Sequence, residues 1–271
     1  MCIRDRGKNG GATFHIEDIQ DHVELALMRS GEHEVARAYV LYRERRAQER
    51  AASRQERDAV SQPSLHVVDA GVRRPLDTAA LRTLIESACV DLGEFVHADA
   101  VLSDTVKNLY DGVPIEEVYK SAILSARALI EKDPAYSQVT ARLLLHTMRR
   151  EALGEEVGQA EMVERYREYF PRFVKLGVEA GLIDEKLLQF DLHRLGAALA
   201  GNRDLQFTYL GLQTLYDRYF LHIDEQRIEL PQAFFMRVAM GLALNEVDRE
   251  GRAIEFYELL STFDFMSSTP T

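Results

Sequence analysis

Several side chains in this 271-residue chain have the type and spacing to do chemistry, and each set implies a different reaction. His15, Asp18 and His22 stand at i, i+3 and i+7, so one helical face would carry two imidazoles and a carboxylate, a donor set that can ligate a divalent metal. The same spacing also suits three exposed polar residues on an amphipathic helix. Arg149-Arg150 sets two cations beside a helix that ends at Gly154, where they can hold an anion or complement the negative pole of that helix; the dipole role is the simpler one. Ser268-Thr269-Pro270-Thr271 places hydroxyls just before a proline turn, able to bond a phosphate or sugar oxygen or to line an ordinary loop. Cys89 lies near Ala88 and Leu92 on the apolar side of its helix, which marks a small packing residue rather than a nucleophile. Glu116-Glu117 and Asp248 with Glu250 read as charges at helix starts. The segment GKNGG lacks the spacing and the Lys-Ser/Thr of a phosphate loop, and the sequence holds no nucleophile elbow, no His-Glu-x-x-His and no paired cysteines. None of these sets catalyses alone.

The elements that must position these residues follow from composition and periodicity. With 46% hydrophobic residues the chain can bury a core, and its formal charge of −11 opposes general binding to nucleic acid or to anionic membranes. Two cysteines cannot build a disulfide framework and fit a reducing compartment. No apolar run approaches the roughly 18 residues of a membrane span, so a soluble, cytoplasmic protein is expected. Long proline-free blocks with apolar residues every three or four positions predict a mainly α protein. Ile16, Ile19, Val23 and Leu27, then Val35, Tyr39 and Tyr42, predict a helical hairpin broken at Ser30-Gly31. The charged stretch from Arg43 to Arg74 predicts an exposed helix running into a linker over 51–74. Beyond it, Asp77 and Thr78 offer caps to a helix with the stripe Leu81, Leu84, Ala88, Leu92 and Phe95, and the next helix is expected to end at Tyr110-Asp111-Gly112. Pro114 opens a helix with Ile115, Val118, Ala122, Ala126 and Leu129 inward; Leu143, Leu144, Thr147 and Met148 continue the pattern to Gly154. Further helices are expected at 160–170, 172–180, 185–200 and 204–219. YFLHI and RIEL predict one short β-hairpin, Pro231 starts a helix with Phe235, Val238, Ala239 and Leu242 inward, and Ala253, Phe256, Tyr257 and Leu260 mark the last helix. A weak internal echo repeats Asp21, Val23, Glu34, Val35 and Leu41 as Asp104, Val106, Glu117, Val118 and Leu124 at an offset of 83 residues, which two amphipathic hairpins can share by chance.

Both ends of the sequence are abrupt. MCIRDR has neither an apolar core nor a cleavage site of a targeting peptide. Read as ATG TGT ATA AGA GAC AG it matches the end of a transposase adapter, so residues 1–6 are expected to be an adapter artefact. FDFMSSTPT alternates like a strand and stops without a turn, so the chain is expected to be cut there; the resemblance given below implies that 263–271 is the start of a truncated catalytic barrel.

Recognition rests on the last part of the chain. RD-x-x-x-x-Y-x-G-x-x-T-L, the short hairpin, Pro-Gln with F-F-M-R-V-A-x-G, then Y-x-x-L-S and S-T-P-T follow one another in the order found in the large (α) subunit of class I ribonucleoside-diphosphate reductase, which this stretch strongly resembles. YDGVPIEEVYKSAILSARALIEKDPAYSQVTARLLL resembles the helical N-terminal domain of that subunit, placed at 75–262. FHIEDIQDHVELALMRSGEHEVARAYVLYRERR, within 12–50, resembles the C-terminal helices of an ATP-cone, although the nucleotide-binding hairpin of a cone is not discernible before Phe14. The resemblance implies reduction of ribonucleoside diphosphates to deoxyribonucleotides by a cysteine thiyl radical, formed through a small radical-bearing β subunit that holds the radical cofactor. It implies ATP or dATP as allosteric effectors and a homo-oligomer in full length. The family's catalytic cysteines and specificity site lie beyond Thr271, so this chain is expected to bind no cofactor itself and to be inert alone. One site residue is implied: Thr269 corresponds to the hydroxyl residue before proline that contacts substrate. Arg150 aligns with a basic residue of the family's nucleotide site, a role not carried over without the hairpin. A free-standing helical regulatory or interaction module is the alternative; an ATP-cone transcriptional regulator is opposed by the charge of −11 and the absence of zinc-ligand cysteines.

Overall fold

The computed structural model describes residues 65–266 continuously, together with 2–4, 13–15, 23, 26, 27, 29, 30 and 35. The chain divides into two compact units, Met1–Ser64 and Leu65–Thr271. In the first, β1 (Cys2–Arg4) pairs antiparallel with β2 (Thr13–His15), Ile3 opposite Phe14. His15 is therefore a strand residue, and the proposed helical metal face does not exist as drawn; Asp18 and His22 lie outside the described residues. Of the expected helical hairpin, Val23, Ala26, Leu27, Arg29 and Val35 are helical, but Val23 and Val35 are exposed rather than inward; the remainder lies outside the described residues.

The second unit begins with a structure read as linker. Residues 65–74 are not a linker: β3 (His66–Asp69) and β4 (Val72–Pro75) form a hairpin in which Asp69 faces Val72 across Ala70 and Gly71. Both loop residues have positive φ, 48° and 80°, the turn whose twist matches that of paired strands. β3 also pairs in parallel with β5 (Val113–Pro114), giving a three-stranded sheet of order β4-β3-β5 that buries Val67 and Val113. Gly112, at φ 84°, makes the turn into β5; it does not cap the preceding helix.

Helices enclose this sheet and then continue alone. α1 (Thr78–Cys89) is capped by Asp77, whose carboxylate accepts from Ala80 N at 2.8 Å; it ends before Leu92 and Phe95, and Phe95 is exposed. α2 (Ala98–Lys107) is followed by α3 (Ile115–Ala128), opened by Pro114, with all five expected inward residues buried. α4 (Tyr136–Leu153) closes on Gly154 in the left-handed conformation at φ 77°. α5 (Met162–Glu179) is one helix, where the sequence suggested two divided at Pro171. Proline removes the donor that would bond the carbonyl of Arg167, and Gly196 of α6 (Leu192–Ala197) lies against that carbonyl, so close that an added Cβ would stand 3.0 Å from it. The expected helix at 185–200 is thus a 3₁₀ turn at Glu185–Gln189 plus α6, and that at 204–219 is a 3₁₀ turn at Gly201–Gln206 plus α7 (Tyr209–Arg218). β6 (His222–Ile223) and β7 (Gln226–Arg227) make the expected hairpin. α8 (Pro231–Ala243) and α9 (Arg249–Ser261) pack together; Leu242 points outward, and Met236, Met240 and Ala243 fill the face it was assigned. Phe263–Met266 form a turn and bend rather than a strand, and 267–271 lie outside the described residues. Mainly α is the class, around one core that runs from Val67 to Leu260.

Candidate functional site

The RD-x-x-x-x-Y segment supplies a fully buried carboxylate. Asp204 sits in the 3₁₀ turn after α6, its side chain fully enclosed. Arg149 from α4 reaches it at 3.1 Å, and the Tyr166 hydroxyl from α5 lies 3.1 and 3.0 Å from its two oxygens. Gln232 Nε2 from α8 donates at 2.9 Å. The chain of bonds continues: Tyr257 of α9 donates to Gln232 Oε1 at 2.7 Å and accepts from Ala200 N at 2.8 Å. Four helices and one turn therefore converge on one carboxylate. Burial pushes the Asp204 carboxyl up, while the Arg149 guanidinium and the hydrogen bonds pull the other way. Burial likewise raises Tyr166 strongly and takes Tyr257 up to about 12. With its oxygens already engaged and no path to solvent, Asp204 fixes elements and is not placed to meet a substrate.

Arg149 and Arg150 do not act as a pair. Arg150 turns the opposite way, to Asp69 of β3 at 2.6 Å and Glu116 of α3 at 3.3 Å, with its guanidinium 5.5 Å from the centre of the Tyr119 ring. Each cation is consumed by a carboxylate, so both the anion and the helix-dipole readings yield to ion pairs that tie α4 to its neighbours. A cavity of about 190 Å³ opens between the β3–β4 hairpin, α1, α3 and α4. Val67, Leu81, Leu84 and Val118 wall it; Tyr119, His146 and Glu156 give it a polar end, where the Tyr119 hydroxyl donates to Glu156 at 2.6 Å. His146 stands edge-on to Tyr119, its Nε2 is enclosed without a hydrogen-bond partner, and burial holds its pKa below the ordinary value.

Two further carboxylates, the buried Glu229 and the half-buried Glu151, serve structure. Glu229 pairs with Arg237 at 2.6 Å and accepts from Leu221 N at 2.9 Å, closing the β6–β7 hairpin onto α8. Glu151 accepts from the Tyr216 hydroxyl at 2.7 Å and from Arg227 N, joining α4 to α7 and β7. Tyr166, Gln232 and Glu229 carry no signal of their own in sequence beyond the Pro-Gln and RIEL segments.

The remaining sequence candidates separate. Cys89 is half-buried against the core, and burial pushes its thiol up to about 11, so it is protonated and unreactive at neutral pH. Asp248 caps α9 by accepting from Gly251 N at 3.0 Å. Glu116 and Glu117 occupy the first turn of α3 as expected. Thr269 lies outside the described residues. Among the described residues no group of three or more His, Cys, Asp or Glu could hold a metal ion, and no helix is long and apolar enough to cross a membrane.

Comparison with known proteins places this scaffold. Residues 3–48 match the ATP cone domain, a match that begins inside the six residues read as adapter. Residues 205–271 match the ribonucleotide reductase all-alpha domain, starting one residue after Asp204. The chain is 40% identical over 273 residues to the ribonucleoside-diphosphate reductase subunit alpha of Chlamydia muridarum, covering 99% of this chain and 26% of that protein. It is 36% identical over 199 residues to the subunit of the same name from Helicobacter pylori, covering 73% of this chain and 24% of that protein. The large subunit from Danio rerio is 28% identical over 191 residues, covering 69% of this chain and 23% of its own length. The chain thus spans about a quarter of the length of the curated relatives it matches. Its helical unit, with the polar network assembled on Asp204, and its cone segment belong to the family of ribonucleoside-diphosphate reductase α subunits.

Proposed function

We propose that this chain is the N-terminal part of an α subunit that reduces ribonucleoside diphosphates to 2′-deoxyribonucleoside diphosphates for DNA synthesis. The observation that carries this is the 40% identity running through 99% of the chain, cone segment and helical unit together. In this reading the partner is a small β subunit bearing the radical cofactor, the full-length protein is a cytoplasmic homo-oligomer, and ATP or dATP acts through the cone. The chemistry needs cysteines that this segment does not provide: the thiol of Cys89 is packed on the core with a raised pKa. The segment's own work is positional. The Asp204 network locks α4, α5, α8 and α9, and α9 delivers the chain toward Thr269, whose hydroxyl is proposed to contact the substrate diphosphate or ribose. The domain division that goes with this reading is a cone, then a helical domain, then the start of the catalytic barrel.

The test is reduction of cytidine diphosphate by the full-length α subunit with its β subunit and a dithiol reductant. Turnover is expected there and not from the 271-residue chain alone. Turnover by this chain alone, or none by the full-length protein, would overturn the proposal.

A further inference from the structure

The cavity between the β3–β4 hairpin, α1, α3 and α4 has no part in the function proposed above, yet its size, walls and polar end are those of a small-molecule site. Its volume of about 190 Å³ exceeds the roughly 150 Å³ at which an engineered apolar cavity admits benzene, and falls short of the roughly 300 Å³ at which drug-sized sites begin. One ring with a small substituent fits. Val67, Leu81, Leu84, Ile115 and Val118 give it apolar walls, and Ala80, exposed in the first turn of α1, lines it with no more than a methyl.

The polar end offers acceptors. The Tyr119 hydroxyl gives its proton to Glu156 Oε1 at 2.6 Å and keeps its oxygen lone pairs. His146 Nε2 is enclosed without a hydrogen-bond partner, and burial keeps the imidazole uncharged at neutral pH, which leaves one ring nitrogen as a bare acceptor. A buried polar atom left unpaired is costly, and a ligand donor would supply the missing bond. The charges that line the cavity are one cation, Arg74, against two carboxylates, Asp77 and Glu156. Arg74 is already committed to Asp69 at 2.5 Å, so an entering anion meets negative charge without a free partner.

We propose that this cavity binds a small uncharged ring compound carrying a hydrogen-bond donor, of the chemical class of the phenols. The ring lies among Leu81, Leu84 and Val118, and the donor faces the Tyr119–His146–Glu156 end. Carboxylates and phosphates are turned away.

Methyl resonances of the 271-residue chain, titrated near neutral pH with phenol, toluene and benzoate, test it. Phenol is expected to shift the Val67, Leu84 and Val118 methyls saturably, and benzoate to leave them unmoved. His146→Leu removes the acceptor and should weaken phenol about fivefold while toluene is unaffected. Leu84→Phe, from within, and Ala80→Phe, from the exposed rim, should each fill the space and abolish binding of phenol; the rim variant leaves the core untouched and so keeps the fold. The inference is overturned by any of four results: no saturable shift up to the solubility of phenol, benzoate shifts equal to those of phenol, phenol binding unchanged in Ala80→Phe, or a phenol-to-toluene ratio unaltered in His146→Leu.

Discussion

Asp204 shows how one residue commits several elements at once. Its partners Arg149, Tyr166 and Gln232 stand 55, 38 and 28 residues away in sequence, so the Arg-Asp pattern could be noticed in the chain while its purpose could not. Periodicity reports which face of a helix is apolar; it is silent about a polar group buried by pairing across the fold. Removing the carboxylate leaves the Arg149 guanidinium enclosed without its counter-charge. Asp204→Ala is therefore expected to lose roughly 3–5 kcal/mol in urea unfolding, and Asp204→Asn, which keeps an acceptor, distinctly less. Equal losses would show that the charge is not what matters. His146 gives a second prediction at this scale. Glu156 favours its charged form, Arg149 and Arg150 oppose it, and burial dominates, so the folded-state pKa lies below 6.5. Below about pH 6.5 the unfolded chain takes up a proton that the fold resists, and stability falls by at most ~1.4 kcal/mol per pH unit until the folded-state pKa is passed. Above that window the contribution is constant. His146→Phe is expected to flatten this part of the stability profile, and a variant whose profile runs parallel to wild type would refute the assignment.

At the level of elements, agreement between sequence and structure follows the strength of the local signal. Pro114, Gly154 and Pro231 punctuate the helices where their geometry requires, and the α3 stripe is buried throughout. The β3–β4 hairpin escaped because its turn is Ala70-Gly71, with a non-glycine residue at φ 48° in a place that Asn or Asp commonly marks. Ala70→Asn should relieve that conformation and stabilise the second unit by up to ~1 kcal/mol in thermal or urea unfolding, while no gain would mean that the turn is not under strain. Pro171 misled in the other direction. A proline usually ends a helix, but here the freed Arg167 carbonyl is met by the Cβ-less Gly196, and α5 continues past it. Gly196→Ala presses a methyl against that backbone carbonyl, which can give little, so a loss of about 1–3 kcal/mol is expected, measured as a lowered urea midpoint with unchanged slope. The candidate site was legible only in part for the same reason: the motifs lie in the sequence, but Arg149 and Arg150 diverge from adjacent positions onto Asp204 and Asp69.

For the molecule as a whole, the decisive question is where the second unit begins. The linker read from sequence ends at residue 74, whereas the compact unit starts at Leu65. The difference is the β3–β4 hairpin, and its contribution to the core can be stated. Val67 is 1% exposed, packed in the same cluster as Leu81, Ile115 and Val118, and burying a valine is worth roughly 1.5–3 kcal/mol. Asp69 supplies the carboxylate for Arg150, and β3 is the middle strand that joins β4 to β5. A protein cut to 65–271 is therefore expected to unfold in one cooperative transition with its helical signal intact, because the cluster from Val67 to Leu260 is complete within it. A protein cut to 76–271 keeps every helix of this unit but loses the hairpin, opening the wall of the cavity above Tyr119 and leaving Arg150 with Glu116 as its remaining carboxylate. It should be about 2–4 kcal/mol less stable by urea unfolding, and its circular dichroism should still report helix. Identical midpoints for the two proteins would show that the hairpin decorates the helical unit rather than completing it.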